Sequence, residues 1–201
     1  MEPTRNDVKN EVAEVPQSVP AAPAEHRNEL TGFAEAYKIG KVYAGSGVVP
    51  AAYAGKPNDC AIAVDMANRM GVSPLMVMQQ LYVVKGKPSW SGQACLAFLR
   101  NRFRDVQVVY TGQRGTDHRG CYIQAKNGET TLQGTEITLA MAKAEGWMSN
   151  PKWRNMPEQM LAYRAGAFFA RVYCPDVLMG CCVEGEADDT APAARTVEDV
   201  L

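Results

Sequence analysis

The sequence predicts an α+β domain in which a small antiparallel β-meander packs on a long helix, with additional short helices and disordered tails. Three observations predict it. Residues 105–137 hold three alternating apolar–polar runs separated by turn-forming residues. Residues 157–173 place apolar Leu161, Ala165, Phe168 and Val172 at helical spacing. The 201 residues are 46% hydrophobic, with no run approaching eighteen apolar residues. That is enough for one core and too interrupted for a membrane-spanning helix.

Residues 1–28 are rich in Pro, Ala, Glu and Val without a sustained period, and read as a disordered arm. They lack the basic-then-apolar pattern of a secretory signal, so a cytoplasmic protein is expected. Phe33, Ala34 and Tyr37 suit a short helix, and a Gly/Pro/Ala loop follows. Pro57, Asn58 and Asp59 start a helix that Gly71 ends, with Ala61, Ile62, Met66 and Met70 on its apolar side. Ser73-Pro74 starts another, over 74–80. Met66, Met70, Met76 and Met78 fill a core or line a partner groove.

Residues 81–85 read as a strand, Gly86 as a turn, and Lys87-Pro88-Ser89 as the lead into a helix over 91–103. Cys95, Leu96, Leu99 and Phe103 form that helix's apolar face, and Arg100 and Arg104 stand four apart on another. The meander follows as 105–110, 120–125 and 130–137. Its first loop carries Arg114, His118 and Arg119, and its second is the turn Lys126-Asn127-Gly128-Glu129. A helix over 137–145 ends at Gly146. Then come the loop Lys152-Trp153-Arg154 and the long helix, whose Arg164 and Arg171 are two turns apart. Residues 29–184 form the expected domain, and 185–201 read as an acidic flexible tail.

The charge pattern narrows the function. The net charge of −1 conceals a middle, 29–183, with 17 basic and 11 acidic residues. A basic middle beside an acidic tail suits a polyanionic partner. Aligned guanidiniums below a Lys-Trp-Arg loop suit a phosphate chain with bases to stack. Spacing alone favours an amphipathic helix carrying solvated arginines.

Catalytic signatures are missing. The sequence holds no G-x-x-x-x-G-K-[ST], no G-x-G-x-x-G, no H-E-x-x-H and no C-x-x-C. The six cysteines lie mostly among apolar neighbours and read as reduced, buried thiols. The two histidines, His26 and His118, lie in the arm and in a loop, where neither serves a cysteine nucleophile. Glu184, Glu186, Asp188 and Asp189 are the one acidic group that suits a divalent cation, and a flexible tail accounts for them more simply. No catalytic site, cofactor or metal is expected. A metal-dependent nuclease and a non-catalytic partner-binding protein stand as the alternatives to a DNA-binding protein.

Several stretches resemble the RecT family of phage single-strand annealing recombinases. They are the K-G-K-P strand end followed by Ser89, the A-x-x-x-G-W exit at 142–147, and W-x-x-x-P-x-x-M-L-x-x-R-A at 153–165. The last is P-D-x-L-x-G at 175–180, ahead of acidic residues. The resemblance covers 57–186. It implies ATP-independent binding of single-stranded DNA and pairing of complementary strands in homologous recombination. It also implies a ring or helical filament that holds extended single-stranded and annealed duplex DNA in a basic groove. A partner exonuclease and a host single-strand binding protein are implied partners. By similarity, the DNA-binding residues are Lys85, Lys87, Lys152, Trp153, Arg154, Arg164 and Arg171, and Arg114 and Arg119 touch DNA or a neighbouring subunit.

Overall fold

The computed structural model describes residues 29–186. The expected arm, 1–28, and nearly all of the expected tail lie outside these residues. Helix α1 (Glu29–Ala44) pairs with α2 (Pro57–Met70), and α3 (Pro74–Gln80) follows. Proline at the first helical turn of α2 and α3 forgoes an amide that would have no helical partner there. Gly71 ends α2 in the left-handed conformation, φ 67°. Of the expected apolar side of α2, Ala61 is buried but Ile62 is 52% exposed. The inward positions are instead Cys60, Ala61, Ala63, Val64 and Ala67, small enough for α1 to lie close. Met78 is buried, and Met66, Met70 and Met76 pack half-buried against the core.

Strands β1 (Leu81–Val84) and β2 (Lys87–Trp90) form a hairpin with Val84 opposite Lys87. Its two-residue turn is Lys85 at φ 50° and Gly86 at φ 76°, the left-handed pair that tight hairpins require. Residues 87–89 are therefore strand, where the sequence reading placed a lead into helix α4 (Gly92–Arg102). The Ser91 hydroxyl caps α4 by accepting from the Ala94 amide at 3.0 Å.

The meander is present: β3 (Arg104–Thr111), β4 (Gly120–Asn127) and β5 (Thr130–Gln133) are antiparallel neighbours in that order. A short strand, β6 (Ile137–Thr138), pairs with the start of β4 and leads into α5 (Leu139–Ala144). After a 3-10 turn at Trp147–Ser149 come α6 (Lys152–Asn155) and the long helix α7 (Pro157–Tyr173). Pro157 separates the last two. It excludes helical geometry for Met156, which sits at φ −142°, ψ 59°. Cys174 before Pro175 ends α7 in the same way.

Helix α7 is the spine. It packs on β4 of the meander, on α4 and on α6. The sequence reading gave it one buried stripe, but three neighbours bury it nearly all round. Met160, Leu161, Ala162, Ala165, Gly166, Ala167, Phe169 and Ala170 are all inside. Val172, expected inside, is 59% exposed, and Phe169, not singled out, is fully buried. Burying side chains such as Leu161 and Phe169 contributes roughly 2 kcal/mol each. Glycine permits the close approach of α4: a Cβ on Gly92 would stand 2.3 Å from Tyr163 Cγ.

Beyond α7, a 3-10 turn at Pro175–Leu178 returns the chain to the hairpin, where β7 (Cys182–Val183) pairs parallel with β2. The sheets are therefore β1-β2-β7 and the meander with β6. The buried Trp90 indole links the first sheet to the chain return by donating to the Leu178 carbonyl at 3.1 Å. All six cysteines are unpaired thiols, and five are buried.

Candidate nucleic-acid interface

Four separated stretches of the sequence meet along one side of α7. They are the β1–β2 hairpin, the 147–149 turn, α6, and the segment 181–186 that β7 begins. This last segment, the strap, holds the acidic residues that the sequence reading assigned to the tail boundary.

Lys152 opens α6. Its ammonium donates to Glu184 Oε1 at 2.8 Å. The other Glu184 oxygen accepts from the Gly92 amide at 3.4 Å, and the Glu184 amide donates to the Trp90 carbonyl at 2.8 Å. The hydrogen bond and charge of Glu184 hold the Lys152 pKa above the usual ammonium value. The phenols of Tyr82 and Tyr163 lie close enough to act on the same ammonium.

Arg164, one helical stretch further, is buried, with 4% exposure. Its guanidinium carbon lies 4.0 Å from the centroid of the Trp147 ring, a cation–π stack. Trp147 in turn packs on Trp153, ring centroids 5.4 Å apart, and edge-on against Phe168. Above Arg164 lies Gly185, where an added Cβ would stand 3.3 Å from the guanidinium. Trp147, Asn150, Trp153, Arg164 and Gly185 line a pocket of about 250 Å³.

Arg171, near the end of α7, donates to Glu186 Oε2 at 2.6 Å and to the Cys181 carbonyl at 2.9 Å. Glu186 also accepts from the Val183 amide at 2.7 Å. Its hydrogen bond raises the Arg171 pKa further.

The sequence-predicted residues thus separate into groups. Lys152, Arg164 and Arg171 form one row under the strap. Trp153 is 3% exposed, so its ring faces Trp147 and not solvent. The ring exposed beside the row is Tyr82, at 44%. It stands on β1 opposite Ser89, and an alternating apolar strand gave no sign of which side would stay open. Arg154 is exposed and carries no ion pair among the described residues. Lys85 and Lys87 are exposed at the hairpin turn.

Arg114 and Arg119 lie elsewhere. Both clamp Glu158 in the first turn of α7: Arg114 through Nε at 2.8 Å and Nη2 at 2.6 Å, Arg119 through Nε at 3.0 Å. Arg119 also donates to the Thr111 and Gly112 carbonyls and stacks over Tyr110 at 4.9 Å. The hydrogen bonds of Arg114 and Arg119 depress the Glu158 pKa to about 2. This cluster fastens the β3–β4 loop to α7. Arg119 is largely enclosed, and Arg114 reaches solvent.

Among the described residues no group of three or more His, Cys, Asp or Glu side chains converges as a metal site would require. Glu184 and Glu186, two members of the acidic group seen in the sequence, are each occupied by a cation of α6 or α7. Also among the described residues, no helix is long and apolar enough to cross a membrane. No protein-family model, curated protein or solved structure matches this chain.

Proposed function

We propose that this protein binds single-stranded DNA and anneals complementary strands without ATP, as a homo-oligomer in phage-type homologous recombination. One observation carries the reading. The segments that resemble the RecT family, far apart in sequence, converge on a single side of α7. They align Lys152, Arg164 and Arg171 in one row under residues 184–186 with Tyr82 exposed near Lys152, while Lys85 and Lys87 are exposed on the hairpin and Arg154 on α6. Cations that follow a phosphate chain and a ring on which a base stacks suffice for sequence-tolerant single-strand binding.

The mechanism involves no bond chemistry in the DNA. Exposed cations hold one strand extended with its bases open. A second strand is tested by base pairing, and the matched duplex stays bound. Sequence selection is left to the bases. Within the row, buried Arg164 stiffens the wall by stacking on Trp147, while Lys152 and Arg171 at its ends have solvent access. A partner exonuclease supplying single strands and a host single-strand binding protein fit this role, as does a cytoplasmic location.

The test is annealing of two complementary oligonucleotides without nucleotide, over a range of protein and salt concentrations. Acceleration that falls steeply with salt is expected. Unchanged annealing at all concentrations would overturn the proposal, and strand cleavage in magnesium or manganese would replace it with a nuclease.

A further inference from the structure

Three consecutive strap residues lie along the row of cations. Glu184 is bonded to Lys152, Gly185 lies against Arg164, and Glu186 is bonded to Arg171. We propose that this strap is an internal stand-in for the DNA backbone, which phosphates must displace from Lys152 and Arg171 to occupy the row. The inference rests on the DNA-binding reading above and concerns how that site is regulated.

The chemistry favours exchange over simple addition. A carboxylate and a phosphate each offer two oxygens to a guanidinium or ammonium in the same way. Glu184 and Glu186 already fill those positions, at 2.8 Å and 2.6 Å. An incoming phosphate therefore replaces an existing ion pair, and the gain on binding is smaller than at an open cation.

The strap is held in a manner suited to release. Its strand, β7, is two residues long, pairing Cys182 with Ser89 and Val183 with Trp90. Cys181 and Val183 are anchored in the core, with the Cys181 amide bonded to Leu178 and its carbonyl to Arg171. The part that can leave is therefore 184–186, held by the Glu184 amide bond to Trp90 and the two carboxylates. Gly185, at φ 91°, is the residue where the chain turns between them. The surrounding cations belong to α6 and α7 and keep their positions when the carboxylates leave. The Lys152 and Arg171 ends of these pairs reach solvent, at 53% and 39% exposure, so a polyelectrolyte can compete for them.

Two measurements on the full-length protein test this. The first is binding of a fluorescent oligo-dT to wild type and to Glu184→Gln/Glu186→Gln, across a salt series. Glutamine keeps the shape and removes the charge. The variant is expected to bind about 3- to 10-fold more tightly at low salt, as two carboxylates no longer compete for Lys152 and Arg171. Its affinity should fall more steeply with salt. Equal or weaker binding by a variant that melts like wild type would overturn the strap's role while leaving DNA binding intact. Absence of binding by either protein would overturn both readings. The second measurement needs no variant: hydrogen exchange at the Val183 and Glu184 amides with and without oligo-dT. Faster exchange in the complex is expected, whereas unchanged or increased protection would show that the strap stays in place and defeat the idea.

Discussion

Arg164 lies over the ring of Trp147 at 4.0 Å, enclosed to 4% exposure at the centre of the domain's basic side. A guanidinium in that position is a structural element before it is a ligand for anything outside. It joins α7 to the 147–149 turn, and Trp153 and Phe168 complete the stack. Among the motif residues, Trp147, Trp153 and Arg164 therefore build the wall on which Lys152 and Arg171 are displayed.

Replacing Arg164 should cost stability as well as any anion affinity. Arg164→Ala removes a buried cation–π contact and leaves a void, and should destabilise by about 2–4 kcal/mol. Arg164→Lys should recover only part of this, because an ammonium cannot stack flat on the indole. Urea denaturation of the two variants checks the order. Wild-type stability for both would show that the side chain is solvated.

Glu158 predicts a pH dependence with a definite sign. Arg114 and Arg119 hold its carboxyl at about 2 in the fold, against an ordinary 4.5. Its contribution is therefore complete above the ordinary value and is lost as pH falls towards about 2. Glu158→Gln should melt lower than wild type at pH 7, and the gap should narrow between pH 5 and pH 2. Thermal melts at intervals across that range test it. A gap that persists at pH 2 would rule out the ionised carboxylate as the cause.

Lys85 lies in the hairpin turn and Lys87 directly after it, both exposed. On the proposed function, Lys85→Gln/Lys87→Gln should weaken oligo-dT binding about equally for all sequences. It should also lower the slope of log affinity against log salt by about 1.5, two single-strand phosphate contacts fewer. The melting temperature should stay near wild type. An unchanged slope would remove the hairpin from the interface.

The thiols should respond by burial. Burial pushes Cys95, Cys121 and Cys174 up to about 12, so none is a thiolate at neutral pH. Cys182 is the one thiol only partly buried. A thiol-reactive dye at pH 8 should label Cys182 first in the native protein, and all six only after unfolding. Fast native labelling of Cys95 or Cys174 would contradict the packing of α4 on α7.

Gly92 sets the distance between those two helices. Gly92→Ala drives a methyl into the base of Tyr163 and should destabilise by about 1–3 kcal/mol. Differential scanning calorimetry would read this directly, and a neutral result would mean that α4 shifts freely.

Local patterning accounts for the elements that sequence reading placed well. Proline marked the starts of α2, α3 and α7, Gly71 the end of α2 and Pro175 the end of α7, and alternation with an Asn-Gly turn marked the meander. These signals act within a few residues, so they survive without tertiary context. The 87–89 segment was misread because Lys-Gly is a weaker hairpin signal and proline normally announces a helix start.

The sequence by itself determined the α+β class, the starts of α2, α3 and α7, the meander and a basic middle segment. Tertiary structure alone decided which faces closed and which charges met. Val172 stayed outside and Phe169 went in because α7 has neighbours on three sides, which no single period encodes. Lys152 met Glu184 and Arg171 met Glu186 because β7 pairs with β2, a contact across more than ninety residues. Trp153 and Arg164 were drawn inside by Trp147, leaving Tyr82 as the open ring. Spacing records what a chain can present; packing from distant segments settles what remains presented.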